Sequence, residues 1–381
     1  MIKHNLERGY YQVGQELFTN KMLALHCAGK NKSKVKWNFH DEIYSKKDWT
    51  KRPNGTLKDL YKERAQQLRD QYDYLTVNFS GGADSWNILN SFLSNGIKIE
   101  EIYTRWGLAE RKFTAADYLN NDEGNTGSEF EYAVLPVLKY IEKNYPEINI
   151  VVDDLSDCFT KELTEQKFLD SDQYQMMPCF FHTVRQSDKE KQAEKKKQKI
   201  GVIYGYEKIY CGIKNGNFYA YFRDGMCGGD NTRYHSSRKF ECFYWTPDFP
   251  LLPVLQAHYI KDFLKQDIIE KTLSYKKMQY RELYTRICYP EYDNNTFQCG
   301  KMLGSILSKS DIWIARYNKK FHDSWRWHIG QCTDSIDTKF IHYHNGVLVG
   351  LANFPSKEYL VEENCGLPDI YWQHHGTYPN T

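Results

Sequence analysis

Tyr74-Leu75-Thr76-Val77-Asn78-Phe79-Ser80-Gly81-Gly82-Ala83-Asp84-Ser85-Trp86-Asn87-Ile88-Leu89-Asn90-Ser91-Phe92-Leu93 runs from an apolar-rich segment, through a small glycine turn, into a helical pattern. A strand that breaks into such a turn and then opens a helix is an arrangement suited to binding phosphate. Two glycines remove side chains, so backbone N–H groups can approach an anion closely. The helix N-terminus adds a partial positive charge of about half an elementary unit. Ser80 and Ser85 offer hydroxyl donors. Asp84 is the odd member, since an acid beside a phosphate site makes sense when it holds a metal ion or orients a donor. A serine-capped turn with no ligand is the alternative.

The turn is neither of the two commonest nucleotide loops. The chain has no G-x-x-x-x-G-K-[ST] and no G-x-G-x-x-G. Ser80-Gly81-Gly82-Ala83-Asp84-Ser85 instead resembles, at every fixed position, the S-G-G-x-D-S pyrophosphate loop of the PP-loop ATP pyrophosphatases, also called the adenine nucleotide alpha-hydrolase-like group. That resemblance implies an α/β fold with a doubly wound, mostly parallel, Rossmann-like sheet. It implies ATP and Mg2+ as cofactors, with ATP cleaved between its α and β phosphates. Carried onto this chain, Ser80, Gly81, Gly82, Ala83, Asp84 and Ser85 would hold the phosphates, with Asp84 as metal ligand. In relatives the adenine and ribose lie at the end of the next strand, which makes Tyr103 and Thr104 candidates here. Asp84, Lys208 and Arg223 are the candidate catalytic residues, with Arg185 as a further cation. The layout is nearest to the phosphoadenosine phosphosulfate (PAPS) reductase-like branch, where an arginine usually follows a late strand. Lys208 and Arg223 are the nearest equivalents.

Around the loop the pattern alternates helix and strand. Leu57, Leu60, Tyr61, Ala65 and Leu68 recur at helical spacing. Arg64 and Arg69 on that helix read as a solvated face or, alternatively, as phosphate contacts. Residues 74–79 form a strand, and 85–95 a helix closed by the C-cap pair Asn95-Gly96. A second parallel strand covers 99–106. Residues 120–128 form a polar loop that opens a helix over 129–144, capped by Ser128 and kinked or split by Pro136. A third strand, 148–154, ends in Asp153-Asp154, either a magnesium site or a helix cap. The charged helix 188–199 reads as a solvated face, and 200–205 as another strand. Asn215-Gly216 predicts a type I′ hairpin within 212–225. Helices over 256–266 and 268–286 follow an aromatic linker at 243–250. Trp313, Trp325 and Trp327 read as core anchors. A last hairpin spans 339–349, carrying His342 and His344 on one polar face.

These readings divide the chain into an N-terminal extension (1–72), a loop-bearing α/β domain (73–250) and a mainly helical C-terminal region with a hairpin (251–381). The net charge of +2 over 381 residues gives no field that would favour nucleic acid. Mean hydropathy is −0.72, and no apolar run approaches the roughly 18 residues of a membrane span. With no signal peptide at the N-terminus, a cytoplasmic protein is expected. Abundant Lys, Asn and Tyr resemble the composition of many bacteriophage proteins, which would make it the host cytoplasm.

The branches of the PP-loop group differ in their extra parts. Ile2 stands where a class II glutamine amidotransferase has cysteine, and no Cys-x-x-Cys occurs. Paired thiolation cysteines and a clustered-cysteine zinc site are therefore not expected. Cys365, in Glu363-Asn364-Cys365-Gly366-Leu367, partly resembles the C-terminal cysteine motif of PAPS reductases. The expectation is an adenylating enzyme that activates an unidentified small-molecule or macromolecular substrate for ligation or transfer. The alternatives are a PAPS reductase-type oxidoreductase using Cys365, and a nucleotide-binding module without turnover.

Overall fold

The structure, a computed structural model, describes residues 9–19, 21–106, 130–154, 186–205, 208–224, 238–266, 285–289, 341–344, 347–351 and 354–369. Its centre is a five-stranded sheet built from β4 (Tyr74–Asn78), β5 (Glu101–Trp106), β6 (Asn149–Asp154), β7 (Ile200–Tyr204) and β10 (Arg238–Cys242). The strand order is β10-β7-β4-β5-β6, and every neighbouring pair is parallel. Leu75, Val77, Ile102 and Ile203 point to one face, where they pack with Ile88, Leu89 and Phe92 of α4 (Ala83–Leu93) and with Val137, Leu138 and Ile141 of α5 (Leu135–Asn144). Tyr74, Tyr103, Ile200, Val202 and Tyr204 point to the other, where Ala193 of α6 (Asp188–Lys195) covers them. Burial on both faces is why β4 and β7 are nearly continuous apolar runs. The α/β expectation thus holds, as a five-stranded parallel sheet flanked by helices.

The chain leaves β4 toward β5 and β6, and later returns on the other side of β4 to lay down β7 and β10. Connections therefore diverge between β4 and β7. In open parallel sheets a crevice opens at the carboxyl ends of strands at such a point.

Local signals account for most boundaries. α3 (Leu57–Gln71) starts in a capping box between Thr56 and Asp59. α4 ends in a Schellman motif: Ile97 N–H donates to Phe92 O at 2.9 Å and Gly96 N–H to Leu93 O at 3.1 Å, with Gly96 at φ +64. Pro136 lies in the first turn of α5, directly after a π-helical turn over Phe130–Val134, so the expected break falls there. Ser128 lies outside the described residues. β8 (Tyr210–Lys214) and β9 (Asn217–Tyr221) form the expected hairpin, with positive φ at both Asn215 and Gly216. α7 (Leu251–Leu264) begins five residues before the expected 256, because Pro253 falls in its first turn and is tolerated there. Helix 268–286 lies outside the described residues apart from its end, inside α8 (Thr285–Cys288). β11 (Ile341–His344) and β12 (Val347–Leu351) pair as the terminal hairpin.

Other elements had no sequence expectation. β1 (Tyr10–Val13), β2 (Glu16–Phe18) and β3 (Val35–Asn38) form a small antiparallel sheet, with α1 (Lys21–Asn31) packed against it and the short α2 (Asp41–Tyr44) following β3. β10 extends the central sheet. β13 (Tyr359–Glu362) pairs with β9, joining the C-terminal segment to the hairpin. Aromatic rings weld these parts together: Trp49 stacks on Tyr359 at 4.7 Å, and Phe222 lies 4.5 Å from Tyr44 and 4.8 Å from Phe39. A fully buried ion pair, Lys21 Nζ to Asp224 Oδ2 at 2.7 Å, ties α1 to the end of the hairpin. Asp224 also accepts from the Tyr11 hydroxyl and the Phe354 N–H.

The arginines of α3 are held by protein acceptors and do not form a solvated face. Arg64 is fully buried and donates to Gln67, to Glu241 and to the Cys242 carbonyl. Arg69 donates to Glu100 and to the Lys98 carbonyl. Both cations serve to hold α3 against the sheet. Among the described residues, no helix is long and apolar enough to cross a membrane.

Candidate functional site

The loop after β4 lies at the crevice between β4 and β7. Phe79 N–H donates to Tyr103 O at 2.8 Å, which carries β4 alongside β5 up to the turn. Gly81 then reverses the chain at φ +75, and Gly82 caps α4 in an extended conformation without a side-chain bond. α4 opens with N–H groups that a helix leaves without intrahelical acceptors. Ser85 sits under the turn: its Oγ accepts from Ser80 N–H at 3.3 Å, donates to Gly82 O at 3.0 Å, and lies 3.4 Å from Ser80 Oγ. The serines thus shape the turn from inside it.

The glycines have reasons beyond access for an anion. A methyl group at Gly81 would stand 3.0 Å from both Ala133 Cβ and Val134 Cγ2, in the π-helical turn. A Cβ at Gly205, just after β7, would meet Ile88 Cδ1 at 2.7 Å and the Asp84 and Ser85 backbone at 3.2 Å. Gly205 therefore lets the end of β7 lie directly against the first turn of α4. That approach brings the next residues of the chain to the loop.

Lys208 is among them. Only 4% exposed, it places Nζ 3.5 Å from Asp84 Oδ1 and 5.3 Å from the centre of the Tyr289 ring. Two of the sequence-derived candidates, 124 positions apart, thus meet as an ion pair. Tyr289 donates its hydroxyl to the same Asp84 oxygen. Tyr244 donates to the Asp84 carbonyl at 2.7 Å and accepts from Asn87 Nδ2 at 3.0 Å. Tyr61 packs edge-on against Tyr244 and receives Gln256 Nε2 at 2.9 Å. Burial pushes the phenols of Tyr61, Tyr244 and Tyr289 well above their ordinary value, and for Tyr289 the Asp84 carboxylate adds to the effect. They remain protonated donors at neutral pH. Cys288, next to Tyr289, is likewise pushed up to about 12 by burial.

Arg223 follows β9, and among the described residues no contact joins it to Asp84 or Lys208. Its backbone bridges antiparallel to Pro355. Its guanidinium lies over the Tyr210 ring at 4.1 Å. Tyr103 and Thr104 are differently placed. Both are about 1% exposed; Tyr103 donates to Asp153, and Thr104 Oγ1 accepts from Trp106 Nε1 at 3.0 Å. Their side chains belong to the sheet packing. Asp153 and Asp154 end β6, two strands from the loop strand, or about 10 Å at the usual strand spacing. Arg185, Trp313, Trp325 and Trp327 lie outside the described residues.

Cys365 is buried, and its N–H donates to Gly216 O at 2.7 Å in the hairpin turn. The length of β8 separates that turn from Lys208, on the order of 15–20 Å at about 3.3 Å per residue. His342 and His344 occupy alternate positions of β11.

Magnesium suits this donor set in a particular way. Among the described residues no group of three or more His, Cys, Asp or Glu could hold a metal. Asp84 is a single carboxylate, 24% exposed, at a helix N-terminus. Mg2+ is commonly bound by one or two carboxylates together with substrate phosphates and water, and a lone acid beside an anion cradle fits that pattern.

Tyr244, Tyr289 and Asn87 were not anticipated from sequence. Tyr244 follows β10 within an aromatic run and Tyr289 precedes Pro290; neither has a spacing that links it to Asp84. Comparison of the chain with protein-family models, with curated proteins and with solved structures finds no match.

Proposed function

We propose that this chain is an ATP-dependent adenylating enzyme of the PP-loop kind, converting ATP to AMP and pyrophosphate while activating a second substrate. The observation that carries the reading is the meeting of Asp84 and Lys208 at the start of α4, at the divergence point of a parallel sheet. A bare phosphate turn would need neither a buried lysine nor an acid. A site that handles phosphate with a metal needs both charges within reach.

In this reading the N–H groups at the start of α4 bind the β and γ phosphates as one anionic unit. Bound at Asp84, magnesium would neutralise phosphate charge. Lys208, just before β8, would stabilise the charge that builds on departing pyrophosphate. A carboxylate or carbonyl oxygen of the second substrate attacks the α-phosphorus, pyrophosphate leaves, and an acceptor then displaces AMP. The protein contributes position and charge rather than a covalent group.

A pyrophosphate-release and AMP-formation assay tests this, with ATP, Mg2+ and a panel of carboxylic acids and amides. Activity that falls at least about 100-fold in Asp84→Asn is expected, as for loss of a transition-state charge contact. Tight ATP binding without AMP from any substrate would instead favour a nucleotide-binding module without turnover. The PAPS reductase-type alternative requires Cys365, whose burial against Gly216 does not favour it.

A further inference from the structure

Lys208 is nearly completely buried, and a buried ammonium needs a counter-charge. Among the described residues, Asp84 is the one acid within ion-pair distance of it. The same Asp84 oxygen accepts the Tyr289 hydroxyl, and the Tyr244 hydroxyl fixes the Asp84 carbonyl. Without ligand, the carboxylate assigned to the metal is therefore already in use by a cation.

We infer that Lys208 and a divalent cation compete for Asp84. Lys208 is a resident placeholder that keeps the metal position closed until an anion draws the ammonium away, and Tyr289 is the positioning residue that holds the carboxylate for either cation. This regulation of the site rests on the reading of Asp84 as the metal-facing acid.

The physical argument is one of charge exclusion. A divalent ion approaching Asp84 meets an ammonium 3.5 Å from the oxygen it would bind. Repulsion at that range, in a partly desolvated site, is far larger than thermal energy. A polyphosphate bound at the α4 N-terminus would offer the ammonium a second acceptor and release the carboxylate. Metal binding is then weak alone and tight with nucleotide, so the site does not fill with magnesium before its substrate arrives. Tyr289 keeps its place beside Asp84 throughout, because its ring is packed against Tyr61 and Tyr244.

The probe is Mn2+ alone, added without nucleotide to the full-length chain and followed by electron paramagnetic resonance. The unaltered protein should bind weakly. Lys208→Met, which keeps the volume and removes the charge, should bind Mn2+ about tenfold tighter or more, and Lys208→Gln should behave alike if the Met variant misfolds. The gain should vanish in Lys208→Met with Asp84→Asn. Tyr289→Phe, placed on Lys208→Met, should loosen Mn2+ again although the ring packing remains. Equal Mn2+ affinity in the unaltered chain and in both neutral variants, including no detectable binding in any, would overturn the proposal. The two readings separate cleanly. A Mn2+ gain without ATP binding keeps the placeholder and removes the adenylating enzyme. Magnesium-dependent AMP formation with no Mn2+ gain does the reverse.

Discussion

Replacing Gly81 by alanine should destabilise the protein by about 2–4 kcal/mol, whereas the same replacement at Gly96 should cost only about 1 kcal/mol. Both glycines sit at positive φ, +75 and +64. Each alanine therefore meets a left-handed backbone penalty of roughly 1–2 kcal/mol, offset in part by the reduced freedom of the unfolded chain. The surroundings then separate the two positions. At Gly96 nothing lies within 4 Å of the added methyl. At Gly81 the methyl would stand 3.0 Å from two side-chain carbons and 3.1 Å from the Ala133 carbonyl carbon, and a backbone atom cannot rotate away. Forcing a methylene-sized group into such a contact costs typically about 1–3 kcal/mol. Urea unfolding of both variants, with tryptophan fluorescence as readout and an unchanged slope, measures the difference directly. Equal losses, within about 0.5 kcal/mol, would refute the packing of residues 130–134 against the loop. Gly81→Ala should also weaken nucleotide binding, and Gly96→Ala should not.

Further tests address other parts of the molecule. Lys21→Met or Asp224→Leu alone should each cost about 3–5 kcal/mol, because each leaves a fully buried charge without its partner. The double variant should lose less than the sum in the same urea assay. Glu190, fully buried against Arg238, is pushed up to about 7 by burial. Its folded form holds a proton that the unfolded chain releases near 4.5, so its contribution is complete below pH 4.5 and falls away as pH rises to about 7. Glu190→Gln should therefore gain on the unaltered protein by about 1 kcal/mol or more across that window, measured by urea unfolding at pH 4.5 and 7.5. Cys365→Ser should leave AMP formation within about twofold, under about 0.5 kcal/mol, because the thiol is buried beside the hairpin turn; an abolished rate would show that Cys365 acts in the adenylating reaction.

Much of the fold was legible because its signals are local. The apolar run 74–79, the Asn95-Gly96 stop, the Asn215-Gly216 turn and the 341–351 hairpin each declare themselves within a few residues. So does the loop, whose residue types match a phosphate cradle. β10 and β13 were not legible, since short strands such as Arg238-Lys239-Phe240-Glu241-Cys242 carry mixed polarity and exist only because an edge is there to receive them. Arg64 illustrates the same limit. Its spacing reads as a polar helix face, yet Glu241 and the Cys242 carbonyl lie across from it and make burial tolerable.

The site divides in the same manner. Composition and order within residues 80–85 were enough to mark a tight turn into a helix, because backbone reversal, helix opening and small side chains are properties of adjacent residues. That Lys208 belongs to it, that Tyr289 and Tyr244 hold Asp84 from 205 and 160 residues away, and that Tyr103 and Thr104 are closed into the sheet are tertiary facts. They depend on which strands neighbour β4 and on Gly205 letting β7 approach α4. The chain alone encodes a glycine turn between a strand and a helix, and only its folding back on itself puts a buried cation and two phenols onto the acid of that turn.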